Sequence, residues 1–114
     1  MTGLSNVMAA MVLLPFSAVA NPNLATATGT SSPLTTNSVT VAAANGVAPY
    51  SYAWTFVSGQ PFTCNSPAVA TTSWTTNIGP GTEKQATWAC TVTDSTPVTP
   101  KTVVVQVSLD VIRN

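Results

Sequence analysis

Six charged side chains, Glu83, Lys84, Asp94, Lys101, Asp110 and Arg113, and two thiols, Cys64 and Cys90, carry almost all the reactive chemistry in 114 residues. Histidine is absent, which removes the commonest general base and metal ligand. A zinc site needs four ligands, and two thiols with three scattered carboxylates do not supply one. Serine and threonine abound, but a hydroxyl nucleophile needs a positioned base. A nucleophilic thiol needs nearby positive charge to lower its pKa. Neither partner is in view, so the sequence points away from an enzyme and calls for no metal and no cofactor. Asp94, in Asp94-Ser95-Thr96-Pro97, reads as a carboxylate that ends a strand and bonds nearby backbone N–H groups. Glu83-Lys84 reads as an exposed pair at a turn. Trp74, flanked by threonines, reads either as packed in the sandwich or as exposed at a subunit interface, where tryptophan is enriched; weak stacking on host-surface carbohydrate is the sharper expectation.

Charge this sparse also restricts partners. Charged residues are 5% of the chain with net charge zero, against roughly a quarter in ordinary soluble domains. Three cations cannot neutralise a phosphate backbone, so nucleic acid is excluded as a partner. The twenty threonines supply a neutral, hydroxyl-rich surface suited to strands. A surface with little colloidal repulsion suits a subunit fixed in an assembly better than a free monomer.

The elements that position these groups are strands. Tyr50-Ser51-Tyr52-Ala53-Trp54-Thr55-Phe56 and Ala86-Thr87-Trp88-Ala89-Cys90-Thr91-Val92 alternate large or apolar residues with small or polar ones, the period of a half-buried strand. Ser38 to Ala42 reads as a short strand with Val39 and Val41 on one face, closed by the Asn45-Gly46 turn. Phe62 to Cys64 and Ala68 to Ala70 read as short edge pieces, and Thr71 to Thr76 as a strand placing Thr72, Trp74 and Thr76 together. Thr102 to Val111 is the last strand. The expected core is Val41, Tyr52, Trp54, Phe56, Trp88, Cys90, Val92, Val105 and Val107. About seven short strands with regular turns describe an antiparallel sandwich over residues 38–114.

Residues 1–37 read as an arm or linker, with Leu24 to Thr28 as either extended connector or weak first strand. The uncharged run containing Val7, Met8, Met11, Val12, Leu13, Leu14 and Phe16 is expected to bury itself against another subunit. The alternative is a secretory signal, since Ala18-Val19-Ala20 resembles a cleavage site, although no Lys or Arg precedes the apolar run. The run is too short, and too interrupted by Pro15, to span a membrane as a helix.

Two stretches carry a resemblance to a known family. Asn45-Gly46-Val47-Ala48-Pro49-Tyr50-Ser51-Tyr52-Ala53-Trp54 resembles the G-x-x-P-Y-x-Y-x-W entry of Ig-like domains of the PKD type. Thr87-Trp88-Ala89-Cys90-Thr91-Val92-Thr93-Asp94-Ser95 resembles their Y-T-V-T-L-T-V-T-D-S strand. The resemblance implies an all-β, Ig-like sandwich with Trp54 in its core. The family's acidic W-D-F-G-D-G turn is replaced by Trp54-Thr55-Phe56-Val57-Ser58-Gly59, which argues against calcium, and Ala86 stands where the family has Tyr. Ig-like domains recur on virions of tailed bacteriophages. The resemblance therefore implies a small virion protein, a capsid decoration or minor capsid protein, bound to the major capsid protein and to copies of itself, plausibly as a homotrimer. Tail or baseplate location is an alternative, as is a secreted or surface-attached bacterial binding module. Virion assembly in a reducing cytoplasm would leave Cys64 and Cys90 as free thiols; secretion would favour a bridge between them.

Overall fold

The computed structural model describes residues 14–114. The expected arm residues Val7, Met8, Met11, Val12 and Leu13 lie outside them. Ten strands and no helix make up the described residues: β1 (Ser17–Asn21), β2 (Leu24–Gly29), β3 (Leu34–Thr35), β4 (Val39–Ala44), β5 (Ser51–Gly59), β6 (Thr63–Cys64), β7 (Thr71–Thr72), β8 (Trp74–Thr76), β9 (Thr82–Thr93) and β10 (Thr102–Arg113).

The main sheet has the order β2-β10-β9-β5. Its spine is the antiparallel β9–β10 pair, in which Trp88 faces Val107 and Cys90 faces Val105. Cross-strand partners share a face, so Trp54 opposite Cys90 and Phe56 opposite Trp88 extend the same inner surface onto β5. Two smaller sheets, β1-β4-β7 and β3-β8-β6, cover it. They nearly merge: residues 71–76 alternate as one strand, with Thr72, Trp74 and Thr76 all buried, and change partner at Ser73 from β4 to β3 and β6. The shared core draws Ala25, Val39, Val41, Trp54, Trp74, Trp88, Cys90, Val92, Val107 and Leu109 from all three sheets.

Several expectations are corrected. Residues 17–35 are strands rather than linker, since β1, β2 and β3 come from them; β2 (Leu24–Gly29) takes the weak-first-strand reading of Leu24 to Thr28. β1 pairs antiparallel with β4, and β2 pairs parallel with β10 from Leu24–Ser108 to Gly29–Arg113. Alternation is weak there because the small Ala, Ser and Thr residues offer little apolar contrast. Ala68 to Ala70 is turn rather than strand, although Ala70 O accepts from Val41 N and Val69 O accepts from the Trp54 indole N–H at 2.9 Å. Tyr52 and Val105 are only partly buried, packed against the core margin. Phe56 is half exposed (50%): a bulge between Phe56 and Ser58 ends the regular pairing, and the inner face opens to solvent there.

For Trp74 the structure takes the packed reading and corrects the interface one. The residue is fully buried, at the centre of an aromatic stack in which its ring meets Trp54 at 5.2 Å and 86° and Trp88 at 6.1 Å and 58°. The flanking threonines do not mark a wet face. Thr76 Oγ1 donates to Pro61 O, and Thr72 Oγ1 donates to Ser73 O and accepts from Ser66 N. Threonine buries cheaply once its hydroxyl finds backbone partners. Trp74 is therefore not available to a partner or a sugar.

Candidate interaction surfaces

One end of the molecule is tied together by a carboxylate. Asp94 is buried between the loop after β4 and the loop after β9. Its oxygens accept from Val47 N (3.1 Å), Thr96 N (3.1 Å), Thr96 Oγ1 (2.7 Å) and Lys101 N (2.7 Å). Burial opposes its ionisation, but these four donors outweigh burial and hold its pKa below the usual carboxylate range. Ser95 reinforces the join, with its N–H on Val47 O and its hydroxyl on Pro49 O. The expected strand-ending role of Asp94 thus extends to holding two loops in register.

Phe16 stacks on Tyr50 at 5.8 Å in the same region, and Asn45 Nδ2 donates to Pro15 O. Phe16 is therefore engaged by its own chain, whereas Leu14 stays exposed at 65%. Beyond the Asp94 knot the loop projects Val98. This residue is 99% exposed and has φ +70, at the centre of a three-residue turn closed by Thr99 N donating to Pro97 O at 2.8 Å. A β-branched residue in the left-handed region is strained. Nothing in the fold buries it.

A second surface lies where the core opens beside the end of β5. Phe56, Gly59, Pro61, Phe62 and Trp88 line an apolar hollow of about 290 Å³, with Phe56 set edge-on to Trp88 at 5.9 Å and 79°. Gly59 (φ +105) has no room for a side chain, since a Cβ would fall 2.5 Å from Ala86 Cα. The backbone closes on β9 there and leaves the aromatic rings as the wall. On the opposite face of the main sheet from this hollow lies a cleft of about 340 Å³ bordered by Gln85, Ser108 and Asp110.

Glu83 and Lys84 are not a pair. Alternation along β9 sends them to opposite faces: Lys84 donates to Asn77 O and Thr76 Oγ1, while Glu83 lies against Asp110 and accepts from Gln85 Nε2 at 3.3 Å. The neighbouring Asp110 carboxylate raises the Glu83 pKa. Cys64 and Cys90 are both free. Burial pushes the Cys90 thiol up to about 11, which leaves it protonated and unreactive at neutral pH. Cys64 Sγ sits 3.3 Å from Thr72 Oγ1.

Among the described residues no group of three His, Cys, Asp or Glu side chains could hold a metal ion, and no helix is long and apolar enough to cross a membrane. Sequence reasoning missed Val98 and the hollow. The signal for Val98 was the doubled proline of Pro97-Val98-Thr99-Pro100; for the hollow, it was the Gly59-Gln60-Pro61-Phe62 break after an aromatic strand. No protein-family model, curated protein or solved structure matches the chain.

Proposed function

We propose that the chain is a structural protein of a tailed bacteriophage virion, a capsid decoration or minor capsid protein displaying an Ig-like domain and performing no catalysis. The observation that carries this reading is the union of an uncharged, apolar N-terminal stretch with a strand of the sandwich. Leu14 leads through Pro15 and Phe16 directly into β1, which is paired along its length with β4. A partner that held the N-terminal stretch would thereby be joined to the folded domain at β1. The partners on this reading are the major capsid protein and further copies of the chain, with a homotrimer as the natural closed arrangement. Support for the Ig-like assignment comes from the strand that changes sheets near the N-terminus: β1 joins one layer beside β4, and β2 joins the other, parallel to the last strand.

The secreted-module alternative loses support from the same feature. Cleavage after Ala20 would remove four of the five residues of β1, including Ala18 and Ala20, which pack against the core. Deleting residues 1–13 tests the proposal. Incorporation into purified particles is expected to be lost while circular dichroism of the isolated protein keeps its β signature. Wild-type occupancy after the deletion refutes the attachment role, and an intact mass beginning at Asn21 refutes the virion reading in favour of secretion.

A further inference from the structure

The loop between β4 and β5 places a labile amide beside the root of β1. An asparagine side chain is open to attack by the backbone nitrogen of the next residue, most readily where that residue is glycine and no side chain screens the nitrogen. Asn45-Gly46 is the one Asn-Gly step in the chain, and both reacting groups are loosely held. Asn45 is exposed, and its Nδ2 donates to Pro15 O at 3.4 Å, longer than a typical N–H···O bond. The Gly46 N–H lies beyond the end of β4 and donates to the Tyr50 hydroxyl at 3.3 Å. Asn37, Asn65 and Asn77 are better guarded. Asn37 Oδ1 accepts from Thr26 N at 2.8 Å. Asn65 Nδ2 is fixed by the Ser73 and Thr75 hydroxyls, and its neighbour's nitrogen, Ser66 N, donates to Thr72 Oγ1 at 3.0 Å. Asn77 precedes the branched Ile78, whose N–H donates to Ser32 Oγ at 3.0 Å.

We propose that Asn45 is a self-modification site, losing its side-chain amide to attack by Gly46 N and thereby unfastening residues 14–16 from the β4–β5 loop. The Gly46 amide gives its proton to hydroxide, its nitrogen bonds to Asn45 Cγ, and the Cγ–Nδ2 bond breaks as ammonia leaves. Water then opens the resulting cyclic imide at either carbonyl, and nothing is oxidised or reduced. One opening leaves aspartate at position 45, which tolerates the local φ of +67 as asparagine does. The other leaves isoaspartate, whose main chain runs through Cβ and Cγ and is longer by an atom. Gly46 has no slack to absorb that atom: even a Cβ there would fall 2.9 Å from Phe16 Cδ1 and 3.0 Å from Tyr50 Cε1. The Phe16–Tyr50 stack is therefore expected to part. Both products also replace the amide that donates to Pro15 O with a carboxylate, which cannot. The chemistry does not depend on the virion reading; where that reading holds, ageing loosens the attachment arm at its root.

Ageing the full chain at pH 8 and 37 °C tests the site, with anion exchange to separate the more acidic form and peptide mass mapping to place it. Conversion is expected first at Asn45, and about tenfold faster than at pH 7, since the attacking amide must lose a proton to hydroxide. Asn45→Gly keeps the positive φ without the amide and should give no early acidic form. A native chain that keeps Asn45 intact as long as it keeps Asn37 and Asn65 overturns the site. Hydrogen exchange of the separated forms tests the consequence. The β1 amides of the isoaspartate form are expected to exchange several-fold faster than those of fresh protein. Asn45→Asp, which carries the charge on an unaltered main chain, should fall nearer to fresh protein. Unchanged β1 exchange in the isoaspartate form overturns the unfastening.

Discussion

Replacing Trp74 tests the packing most directly. The side chain is fully buried and holds two aromatic contacts, to Trp54 and Trp88. Trp→Ala in a core typically costs 3–5 kcal/mol, and each lost aromatic pair adds about 0.5–1.5 kcal/mol of specific interaction. Those figures overlap, so Trp74→Ala is expected near the top of the range, about 5 kcal/mol. A domain of this size has roughly 5–15 kcal/mol in hand, so the variant should be marginal or unfolded at 37 °C. Trp74→Phe is expected to behave very differently. The Trp74 indole N–H has no hydrogen-bond partner, and leaving such a donor buried costs about 1–3 kcal/mol. Phenylalanine removes that burden while keeping a ring against Trp54, so the net loss should be only about 1–2 kcal/mol. Urea unfolding followed by far-ultraviolet circular dichroism measures both without relying on the tryptophan being replaced. A Trp74→Ala loss under about 1 kcal/mol, the range of surface substitutions, would refute the buried stack and return Trp74 to the surface.

Asp94→Asn is expected to lower the melting temperature by more than about 5 °C, because an amide cannot accept all four donors, and to loosen the loop that carries Val98. The folded-state pKa of Asp94 is depressed, so its contribution is present above the ordinary carboxylate value of about 3.9 and disappears as pH falls through the folded value; thermal melts from pH 7 down to pH 2 should show that acid loss in wild type and a flatter limb in the variant. Glu83 has the opposite sign. Its pKa is raised by Asp110, so the folded state gains from a protonated Glu83 below about 4.3 and loses that gain as pH rises through the folded value. Glu83→Gln should melt higher than wild type at pH 7 and match it at pH 3; equal melting at both would sink the carboxyl–carboxyl contact. Thiol labelling of native protein at pH 8 should leave Cys90 unmodified, since its pKa of about 11 and burial keep the thiolate scarce; rapid native labelling of Cys90 would refute its position in the core.

The long strands were legible because their periods were clean. Val103, Val105, Val107, Leu109 and Val111 point one way on β10, and Ala86, Trp88, Cys90 and Val92 one way on β9, as their alternation dictates. What escaped had a physical cause in each case. β1 and β2 are built from Ala, Ser and Thr, whose apolar contrast is too small to mark a face, and β2 is specified by a partner 84 residues away. Trp74 could be read as core or as interface because threonine's hydroxyl suggests water when, at Thr72 and Thr76, it bonds backbone oxygens. Phe56 obeyed its alternation but is the last regular pair before the bulge in β5, where a tertiary edge exposes it. The exposed Val98 and the Phe56–Trp88 hollow were least legible, since the prolines and glycine beside them mark only that the chain turns, and what the turn exposes is set by the folded loops.

The parallel pairing of β2 with β10 also governs how the chain can be made. Leu24 must wait for Ser108, and Gly29 for Arg113, so the main sheet cannot close until translation has delivered its final strand. Until then β9 lacks its long neighbour and β2 has no partner, and both present unpaired edges rich in Thr, Val and Ala. Topologies dominated by such distant pairings fold slowly and expose aggregation-prone edges on the way. A nascent chain of this protein thus cannot complete its main sheet before β10 has been made, and truncations within β10 should cost β2 as well.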